Sequence, residues 1–300
     1  MDNLLFTGSN GFLGKNSIFL LSKTYNVITL DIQDAEINCN IASRSPVINE
    51  KIDIVLHAAG KAHIVPKNKV EKQLFFDINY QGTINLCKSF EEAGYIPKSF
   101  IFISSVAVYG CDVGENIVEE HPLNGNTPYA LSKIMAEKFL IEWCTKNNVL
   151  LSIVRPSLIA GPNPPGNLGD MIKGINSGRY LNIAKGKARK SIILACDIAR
   201  IAPLLAERGG IFNLSDSNHP SIEELGLLIA NQLGKKKPLS IPYWIAKLLA
   251  LFGNMIGKKA LINSEKLHKI VNSLTFSNEK ARIQLGWEPL NVLQHFKIKM

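Results

Sequence analysis

Short apolar runs alternate with longer helical patterns through the first two thirds of the chain. The runs have the length and apolar content of buried strands, which the sequence predicts at residues 3–7, 27–30, 52–56, 100–105, 150–154 and 210–214. Helices are predicted between them, ending near Ser22 and spanning about 77–94 and 128–147. This regular alternation indicates an α/β fold with a right-handed, doubly wound parallel sheet.

The alternation is interrupted after residue 160. Residues 161–167 are rich in glycine, proline and asparagine and are predicted to form a loop, and we expect the chain from there to about Lys190 to lie outside the sheet. Residues 192–207 are expected to return to it. A capping box from Ser221 to Glu224 begins another helix, and the rest of the chain is predicted to be mostly helical.

The composition indicates the broad class of protein but not its activity. The 300 residues are 46% hydrophobic and 20% charged, as in an ordinary globular protein, and the first residues do not resemble a signal peptide. Five scattered cysteines and six scattered histidines lack metal-ligand spacing, so we predict reduced thiols, a cytoplasmic location and no metal site. The net charge of +9 favours anionic ligands, but no basic stretch is interleaved with aromatic residues, so nucleic-acid binding is not expected.

A glycine-rich turn directly follows the first predicted strand. Gly8 permits a tight turn, Gly11 lets the backbone approach a pyrophosphate at a helix N-terminus, and Gly14 lets the helix pack closely on the strand. The turn therefore predicts a dinucleotide site. Its predicted cofactor-binding residues are Gly8, Asn10, Gly11, Phe12, Leu13 and Gly14.

An acidic residue ends the second predicted strand. Asp31 lies about twenty residues beyond the glycines, where a carboxylate can hold both hydroxyls of an adenosine ribose. It would repel a 2′-phosphate, and neither Ile32 nor Gln33 supplies a cation, so we predict NAD rather than NADP. Asn79 lies inside a predicted helix, where its propensity is poor, so we expect it to have a polar partner.

A tyrosine and a lysine share one face of the third predicted helix. Thr127 can cap this helix, and Tyr129 and Lys133 lie four residues apart. A fixed ammonium and the positive helix N-terminus would both lower the pKa of the Tyr129 phenol, which would make it a general acid or base. Ser105 ends a predicted strand, and the carboxyl ends of parallel strands form the ligand crevice of an open sheet, so we place it beside this pair.

Taken together, these motifs resemble the extended short-chain dehydrogenase/reductases of the NAD-dependent epimerase/dehydratase branch. The motifs that carry the resemblance span nearly the whole chain: Thr7-Gly8-x-x-Gly11-Phe12-x-Gly14, Asp31, His57-x-Ala59, Asn79-x-x-Gly82-Thr83, Ser104-Ser105, Val108-Tyr109-Gly110, Tyr129-x-x-x-Lys133, Arg155-Pro156, Gly161-Pro162, Asp197 and Leu285-Gly286-Trp287-x-Pro289. The resemblance implies a Rossmann domain at 1–158 and about 190–214, with a smaller substrate domain at 159–189 and 215–300. It also implies a nucleotide-sugar substrate, often UDP-linked, and a homodimer formed through helices near 70–93 and 128–147.

The resemblance also assigns roles to single residues. Tyr129 would be the catalytic acid or base, Lys133 would lower its pKa and hold the nicotinamide ribose, and Ser105 would hydrogen-bond the reacting sugar oxygen. Further cofactor contacts are implied at His57, Ala58, Ala59 and Asn79. The residues implied to bind the substrate diphosphate are Asn167, Leu168, Arg189 and Lys190. The last of these stands where the family usually has an arginine, so the neighbouring arginine is an alternative.

Three reactions share such a core. In the family pattern a 4,6-dehydratase has an Asp-Glu pair directly after the serine, where this chain has Val106 and Ala107, so dehydration is not expected. We favour NAD-dependent C4 epimerisation of a UDP-hexose or UDP-N-acetylhexosamine, because Asp31 favours tightly held NAD. The loop at 163–166 also fits an NAD(P)H-dependent reductase of a UDP-4-keto-6-deoxy sugar. A non-catalytic cofactor-sensing protein would be expected to lack Tyr129 or Lys133.

One apolar segment fits none of these roles. Residues 241–253 are interrupted only by Lys247 and Gly253 and are too short to span a membrane. With Lys258 and Lys259 following, the segment could lie on a membrane surface. We expect instead that it belongs to the core of the substrate domain or to a subunit contact.

Overall fold

The computed structural model describes residues 1–62, 64–256 and 262–299. Its strands are β1 (Asn3–Thr7), β2 (Asn26–Asp31), β3 (Ile37–Asn38), β4 (Ile54–His57), β5 (Ser99–Ile103), β6 (Gly114–Ile117), β7 (Leu150–Pro156), β8 (Leu158–Ala160), β9 (Asn182–Ile183), β10 (Ile192–Leu194), β11 (Gly210–Leu214), β12 (Ser240–Ile241) and β13 (Leu274–Phe276). Its α-helices are α1 (Phe12–Leu21), α2 (Lys69–Phe76), α3 (Gly82–Ala93), α4 (Pro128–Asn147), α5 (Gly166–Asn176), α6 (Ala195–Arg208), α7 (Ile222–Gln232), α8 (Tyr243–Ile256), α9 (Ser264–Val271), α10 (Glu279–Leu285) and α11 (Val292–His295).

Seven strands form one parallel sheet in the order β11-β7-β5-β4-β1-β2-β3. This confirms the predicted doubly wound α/β fold. The strand order reverses between β1 and β4, and ligands of such sheets bind beyond the carboxyl ends of the strands at this point. The turn after β1 and the end of β4 therefore mark where a site is expected.

Apolar side chains cover both faces of this sheet. Leu4 and Phe6 of β1 point to the face covered by α1 and α6, whereas Leu5 between them points to the face covered by α3 and α4. A third cluster of buried side chains joins α5, α7 and α11 to β8 and β10. The sheet is thus buried on both sides, as its uninterrupted apolar strands require.

Several predicted boundaries shift in the structure. β4 begins two residues later than predicted, β5 ends at Ile103 before the two serines, and α5 begins at Gly166 inside the predicted loop. The prediction that residues 192–207 rejoin the large sheet is wrong for residues 192–194, because β10 pairs with β8 in a separate two-stranded sheet. The return is made by α6, which packs on the large sheet through its apolar face. The C-terminal part is mostly helical as predicted, with the short strands β12 and β13 added.

A buried histidine joins β1, β4 and α3. His57 is fully buried, and its Nδ1 and Nε2 lie 2.6 Å from Thr7 Oγ1 and 3.0 Å from Thr83 Oγ1. Because the Thr83 hydroxyl donates to the Asn79 carbonyl, we assign the imidazole proton to Nε2, and Nδ1 then accepts from Thr7. Thr7 Oγ1 also accepts from the Ala59 N–H at 3.1 Å. Burial, aided by the charge of Lys133, lowers the pKa of His57 to about 3, so the ring is neutral at neutral pH.

We predict that Gly8→Ala destabilises the protein by about 1–3 kcal/mol more than Gly94→Ala, because overpacking adds to backbone strain only at Gly8. Both glycines have φ +75, but a Cβ on Gly8 would lie 2.8 Å from Ala59 Cα, whereas one on Gly94 would meet nothing within 4 Å. Chemical denaturation of the two variants measures the difference. Equal losses would show that the approach to Ala59 carries no energetic constraint.

We also predict that His57 makes stability fall in mild acid. Its folded-state pKa of about 3 lies below its ordinary value of 6.5, so the unfolded chain binds more protons below pH 6.5. The contribution is fully present above that pH and is lost as pH falls towards 3, at a rate approaching about 1.4 kcal/mol per pH unit. His57→Gln should be less stable at neutral pH but should show a shallower loss between pH 6.5 and 5 in denaturation series. The exposed His295→Gln is the control, and matching slopes for wild type and His57→Gln would contradict the assignment.

Candidate active site

At the glycine turn, backbone segments lie closer together than they could if Gly8 and Gly14 carried side chains. A Cβ on Gly8 would collide with Ala59, and one on Gly14 would lie 2.1 Å from the Ser9 carbonyl oxygen. Gly11 precedes α1, and no side chain caps that helix. The N–H groups of its first turn, which include those of Phe12 and Leu13, are therefore available to an anion.

Asp31 lies against this turn, as predicted. One carboxylate oxygen accepts from the Asn10 N–H at 2.8 Å and the other from the Ile32 N–H at 2.7 Å. Each oxygen keeps a further lone pair, so the partly exposed carboxylate can still accept from hydroxyls. The Asn10 side chain instead donates to the carbonyls of Gln33 and Asp34 at 2.6 and 3.2 Å, which fixes the loop after β2 to the turn.

A cavity of about 320 Å³ borders the glycine turn. It is lined by Asn10, Phe12, Lys15, Asn16, Pro162, Asn163 and Pro165, which come from the start of α1 and from the loop before α5. Another cavity, of about 420 Å³, lies beside β3 and the loop at 44–50, and neither Tyr129 nor Ser105 lines it. Neither residue lines the first cavity either, so that cavity belongs to the glycine turn and not to the tyrosine.

The predicted catalytic helix begins as its sequence indicates. Thr127 Oγ1 accepts from the Ala130 N–H at 3.1 Å, and Pro128 opens α4. Tyr129, in the first turn, is half-buried, and the Ser105 side chain is close enough to lower the pKa of its phenol. Ser105 in turn caps the short 3₁₀ turn Val106–Tyr109 by accepting from the Ala107 N–H. The structure thus brings Tyr129 and Ser105 together.

Lys133 lies one helical turn further into the protein. Only 4% of its surface is exposed, and its Nζ donates to the Ile103 carbonyl at the end of β5 at 2.8 Å. The ammonium also lies 4.6 Å from the centre of the Phe102 ring. Desolvation lowers the pKa of Lys133 to about 8, against an opposing effect of Glu137, so the side chain is mostly charged at pH 7.

The predicted lowering of the Tyr129 pKa by Lys133 is wrong for this structure. Burial raises the pKa of Tyr129, and the hydrogen bond with Ser105 is the effect that opposes it. The ammonium is bonded to the Ile103 carbonyl instead of the phenol. Tyr129 is therefore protonated at neutral pH, which suits it to donate a proton.

Two predicted cofactor residues have a different role in the structure. The His57 ring has both nitrogens engaged, and the fully buried Asn79 donates to Ser132 Oγ at 2.9 Å and to the Lys61 carbonyl at 3.1 Å. Asn79 Oδ1 also accepts from the Lys61 N–H at 2.7 Å. The expected polar partner of Asn79 is confirmed, but its side chain braces the loop after β4 against α4 and, like His57, presents no free polar atom to a cofactor. Ala58 and Ala59 remain partly exposed in that loop.

A buried ionic network behind α4 was missed by the sequence reasoning. Arg155 donates to both carboxylate oxygens of Glu137, from Nη2 at 2.7 Å and from Nε at 3.1 Å, and Ser104 also donates to Glu137. Arg155 Nη1 reaches Tyr109 Oη at 3.1 Å, which donates to Asn213 Oδ1 at 2.7 Å. This network joins α4 to β5, β7 and β11. The available signal was Glu137 itself, a carboxylate on the Lys133 face between the apolar Ala136 and Leu140.

The four predicted diphosphate residues lie on α5 and directly before β10. Asn167 and the buried Leu168 are in the first turn of α5, which has no side-chain cap. Arg189 donates to the His219 carbonyl at 3.0 Å, and Lys190 donates to the carbonyls of Lys269 and Asn272, both at 2.9 Å. Both cations thus already hold backbone oxygens, and a diphosphate role for them stays a prediction.

No metal centre is formed by the part of the chain that the structure describes. No group of three or more histidine, cysteine, aspartate or glutamate side chains there is arranged to hold an ion. Within the same described ranges, no helix is long and apolar enough to cross a membrane.

Comparisons with known proteins agree with this geometry. The chain is 27% identical to the N-acetyl-alpha-D-glucosaminyl-diphospho-ditrans,octacis-undecaprenol 4-epimerase of Escherichia coli, over 93% of this chain and 88% of the relative. It is 26% identical to the UDP-glucose 4-epimerase of Vibrio cholerae, over 97% of this chain and 92% of the relative. Its fold is similar to that of RMD from Pseudomonas aeruginosa, solved with NADPH, with a TM-score of 0.74, 20% identity and coverage of 99% and 96% of the two chains.

The match to a family model covers more of the chain than any single motif does. The model described as NAD dependent epimerase/dehydratase family matches residues 4–215, which include the glycine turn, Asp31, Ser105 and the tyrosine–lysine helix. The chain therefore belongs to the NAD dependent epimerase/dehydratase family, and it is an enzyme of that family.

Proposed function

We propose that the protein catalyses C4 epimerisation of a hexose carried on a diphosphate, most simply a UDP-hexose or UDP-N-acetylhexosamine, with bound NAD. The observation that carries the proposal is the proximity of the Ser105 and Tyr129 side chains, the first directly after β5 and the second in the first turn of α4, with Lys133 on the next helical turn. Relatives of this chain over almost its whole length are 4-epimerases with two different sugar carriers, a nucleotide and a polyprenol. The diphosphate-linked hexose is what the two substrates share.

The residues at the glycine turn fit NAD. A Cβ at Gly8 or Gly14 would fill the space where strand, turn and helix meet, and the uncapped start of α1 offers N–H groups to a pyrophosphate. Asp31 offers acceptors for ribose hydroxyls and repels a 2′-phosphate. Bound there, NAD would supply the hydride acceptor and donor.

The chain's own residues handle the proton and the sugar. Ser105 holds the 4-oxygen by hydrogen bonding. The deprotonated form of Tyr129, which the raised pKa makes the minor form at neutral pH, takes the proton of the 4-hydroxyl and later returns it. Lys133, mostly charged at pH 7 and one helical turn from Tyr129, would hold the nicotinamide ribose. Presenting the other face of the flat 4-keto sugar would invert C4, and the overall reaction needs no further reactant.

A 4-keto reductase is the second candidate, and one observation favours it. Because burial raises the pKa of Tyr129, the phenol is protonated at neutral pH, and this is the form that donates a proton to a 4-keto oxygen. Dehydration has no such support, since Val106 and Ala107 stand on the turn after Ser105. The direction of proton transfer at Tyr129 separates the first two reactions.

The domain division and the dimer are also proposals. The third apolar cluster, around α5, α7 and α11, supports a separate substrate domain at residues 159–189 and 215–300. Two exposed apolar pairs support a subunit contact through α2 and α4: Val70 with Leu74, and Leu131 with Met135. Each pair is spaced by one helical turn, so each forms a local stripe.

We predict that the pure protein, without added cofactor, converts UDP-galactose or UDP-N-acetylgalactosamine into its C4 epimer. Tyr129→Phe should lower kcat by about 10²- to 10⁴-fold, because it removes the group that transfers the proton. Product analysis by chromatography measures the conversion, and Tyr243→Phe, an exposed phenol on α8, is the matched control. Consumption of NAD(P)H with a UDP-4-keto-6-deoxy sugar, without epimerisation, would favour the reductase, and full turnover by Tyr129→Phe would contradict both.

We further predict that Asp31→Asn weakens NAD binding by about ten- to a hundred-fold, because charge-assisted hydrogen bonds to the ribose are lost. NADP binding should become stronger relative to NAD, since the repulsion of a 2′-phosphate is removed. Calorimetric titration with each cofactor measures both effects. The exposed Asp34→Asn is the control, and an unchanged NAD-to-NADP ratio in Asp31→Asn would refute the selection by Asp31.

A further inference from the structure

Helix α8 is buried through its small residues and exposed through its large ones. Ala246 and Ala250 are 0% and 1% exposed and pack on Ile183 and Leu267. Trp244, Phe252 and Met255 are 63%, 67% and 86% exposed. An ordinary surface helix has the opposite arrangement, with large apolar residues in the core.

Five exposed apolar residues of α8 form one face. Trp244, Leu248, Leu251 and Met255 recur at intervals of four, three and four residues, and Phe252 lies one turn beyond Leu248. This face is opposite Ala246 and Ala250, so it points away from the protein. Such a contiguous apolar surface on a folded chain marks a site of contact with another molecule.

The surroundings of this face are basic. From Lys235 to Ser264 the sequence contains six lysines and no acidic residue. Lys235, Lys236 and Lys247 are exposed, and none of the described residues forms an ion pair with them, whereas Lys237 pairs with Glu223 at 2.6 Å. Lys258 and Lys259, which the sequence analysis associated with this segment, lie outside the described residues. A partner of this face is therefore expected to be both apolar and anionic.

We propose that α8 docks the protein on the surface of an anionic lipid bilayer. The 14 residues of the helix are about 21 Å long, too short to cross a hydrocarbon core of about 30 Å, so the helix lies in the interface. Trp244 and Phe252 enter the boundary of the acyl chains, and the lysines bind anionic headgroups. The proposal does not depend on which reaction the active site catalyses.

Charge favours a bilayer over a second copy of the chain. A two-fold symmetric contact would place the same patch against itself and bring its lysines towards those of the other copy. No acidic residue occurs between 235 and 264, and the nearest one along the chain, Glu265 of α9, pairs with Lys269 at 2.8 Å. Anionic headgroups neutralise these charges, whereas a symmetric partner adds to them.

The position of α8 relates the docking face to the proposed substrate region. α8 follows β12, which pairs with β9 directly after the α5 region, and it packs on α9 through Leu267. Lys190 holds the carboxyl end of α9 through its bonds to Lys269 and Asn272. Lys190, one of the predicted diphosphate residues, is therefore joined to α8 through α9.

Vesicle binding by the full-length protein tests the proposal. Wild type should co-sediment with phosphatidylcholine vesicles containing phosphatidylglycerol and should bind less to phosphatidylcholine alone. The double variant Trp244→Ser with Phe252→Ser should bind at least about tenfold more weakly. The control is Phe19→Ser with Ile283→Ser, residues that are 76% and 73% exposed elsewhere and whose replacement should leave binding unchanged.

Tryptophan fluorescence provides a direct readout of α8. Trp143 and Trp287 are 6% and 3% exposed, so a blue shift on adding vesicles reports on Trp244. Thermal unfolding confirms that each variant is folded. Failure of wild type to bind anionic vesicles, or equal binding by the α8 double variant, would overturn the proposal. It would also be overturned by a wild-type oligomer that ignores vesicles and that the double variant dissociates, because the occupant would then be a second copy.

Discussion

The close approach of backbone to backbone at the end of β1 is the constraint on which the site depends. Gly8 leaves room for the chain at Ala59, and Thr7 binds both the Ala59 N–H and the His57 ring. This contact holds the glycine turn and the end of β4 at the point where the strand order reverses. The uncapped start of α1 follows β1, and Asp31 ends β2, the neighbour of β1 in the sheet. Both therefore lie at the same edge of the sheet.

A second, ionic constraint holds the catalytic helix from behind. The bidentate pair of Arg155 with Glu137 is buried, and such a pair is costly to desolvate unless every polar atom is satisfied. Ser104 and Tyr109 complete the hydrogen bonding. Since Glu137 lies one turn from Lys133 on α4, the network fixes the height of the helix above β5 and β7. It thereby sets where the phenol of Tyr129 meets Ser105.

The sequence predicts the backbone of this site better than its side-chain chemistry. The apolar runs and helical patterns predict which strand or helix is next to the glycine turn, Asp31, Ser105 and Tyr129. These residues then lie at one edge of the sheet because parallel strands have their carboxyl ends there. The pKa of Tyr129 could not be predicted from its spacing to Lys133, since the spacing does not reveal that the ammonium binds the Ile103 carbonyl. Likewise, His57 and Asn79 occur in motifs near the cofactor, but burial alone decides that they brace the loop.

The exposure of α8 could not be predicted from sequence because the segment is apolar on nearly every face. Its hydrophobic period does not tell which face packs. The expectation that the segment belongs to the core holds for Ala246 and Ala250 but not for its large side chains, which are exposed. In the structure, the alanines allow α8 to lie close to Ile183 and Leu267, and this close contact turns the larger residues outward. A helix attached through small residues can keep the domain stable while its apolar face serves another molecule.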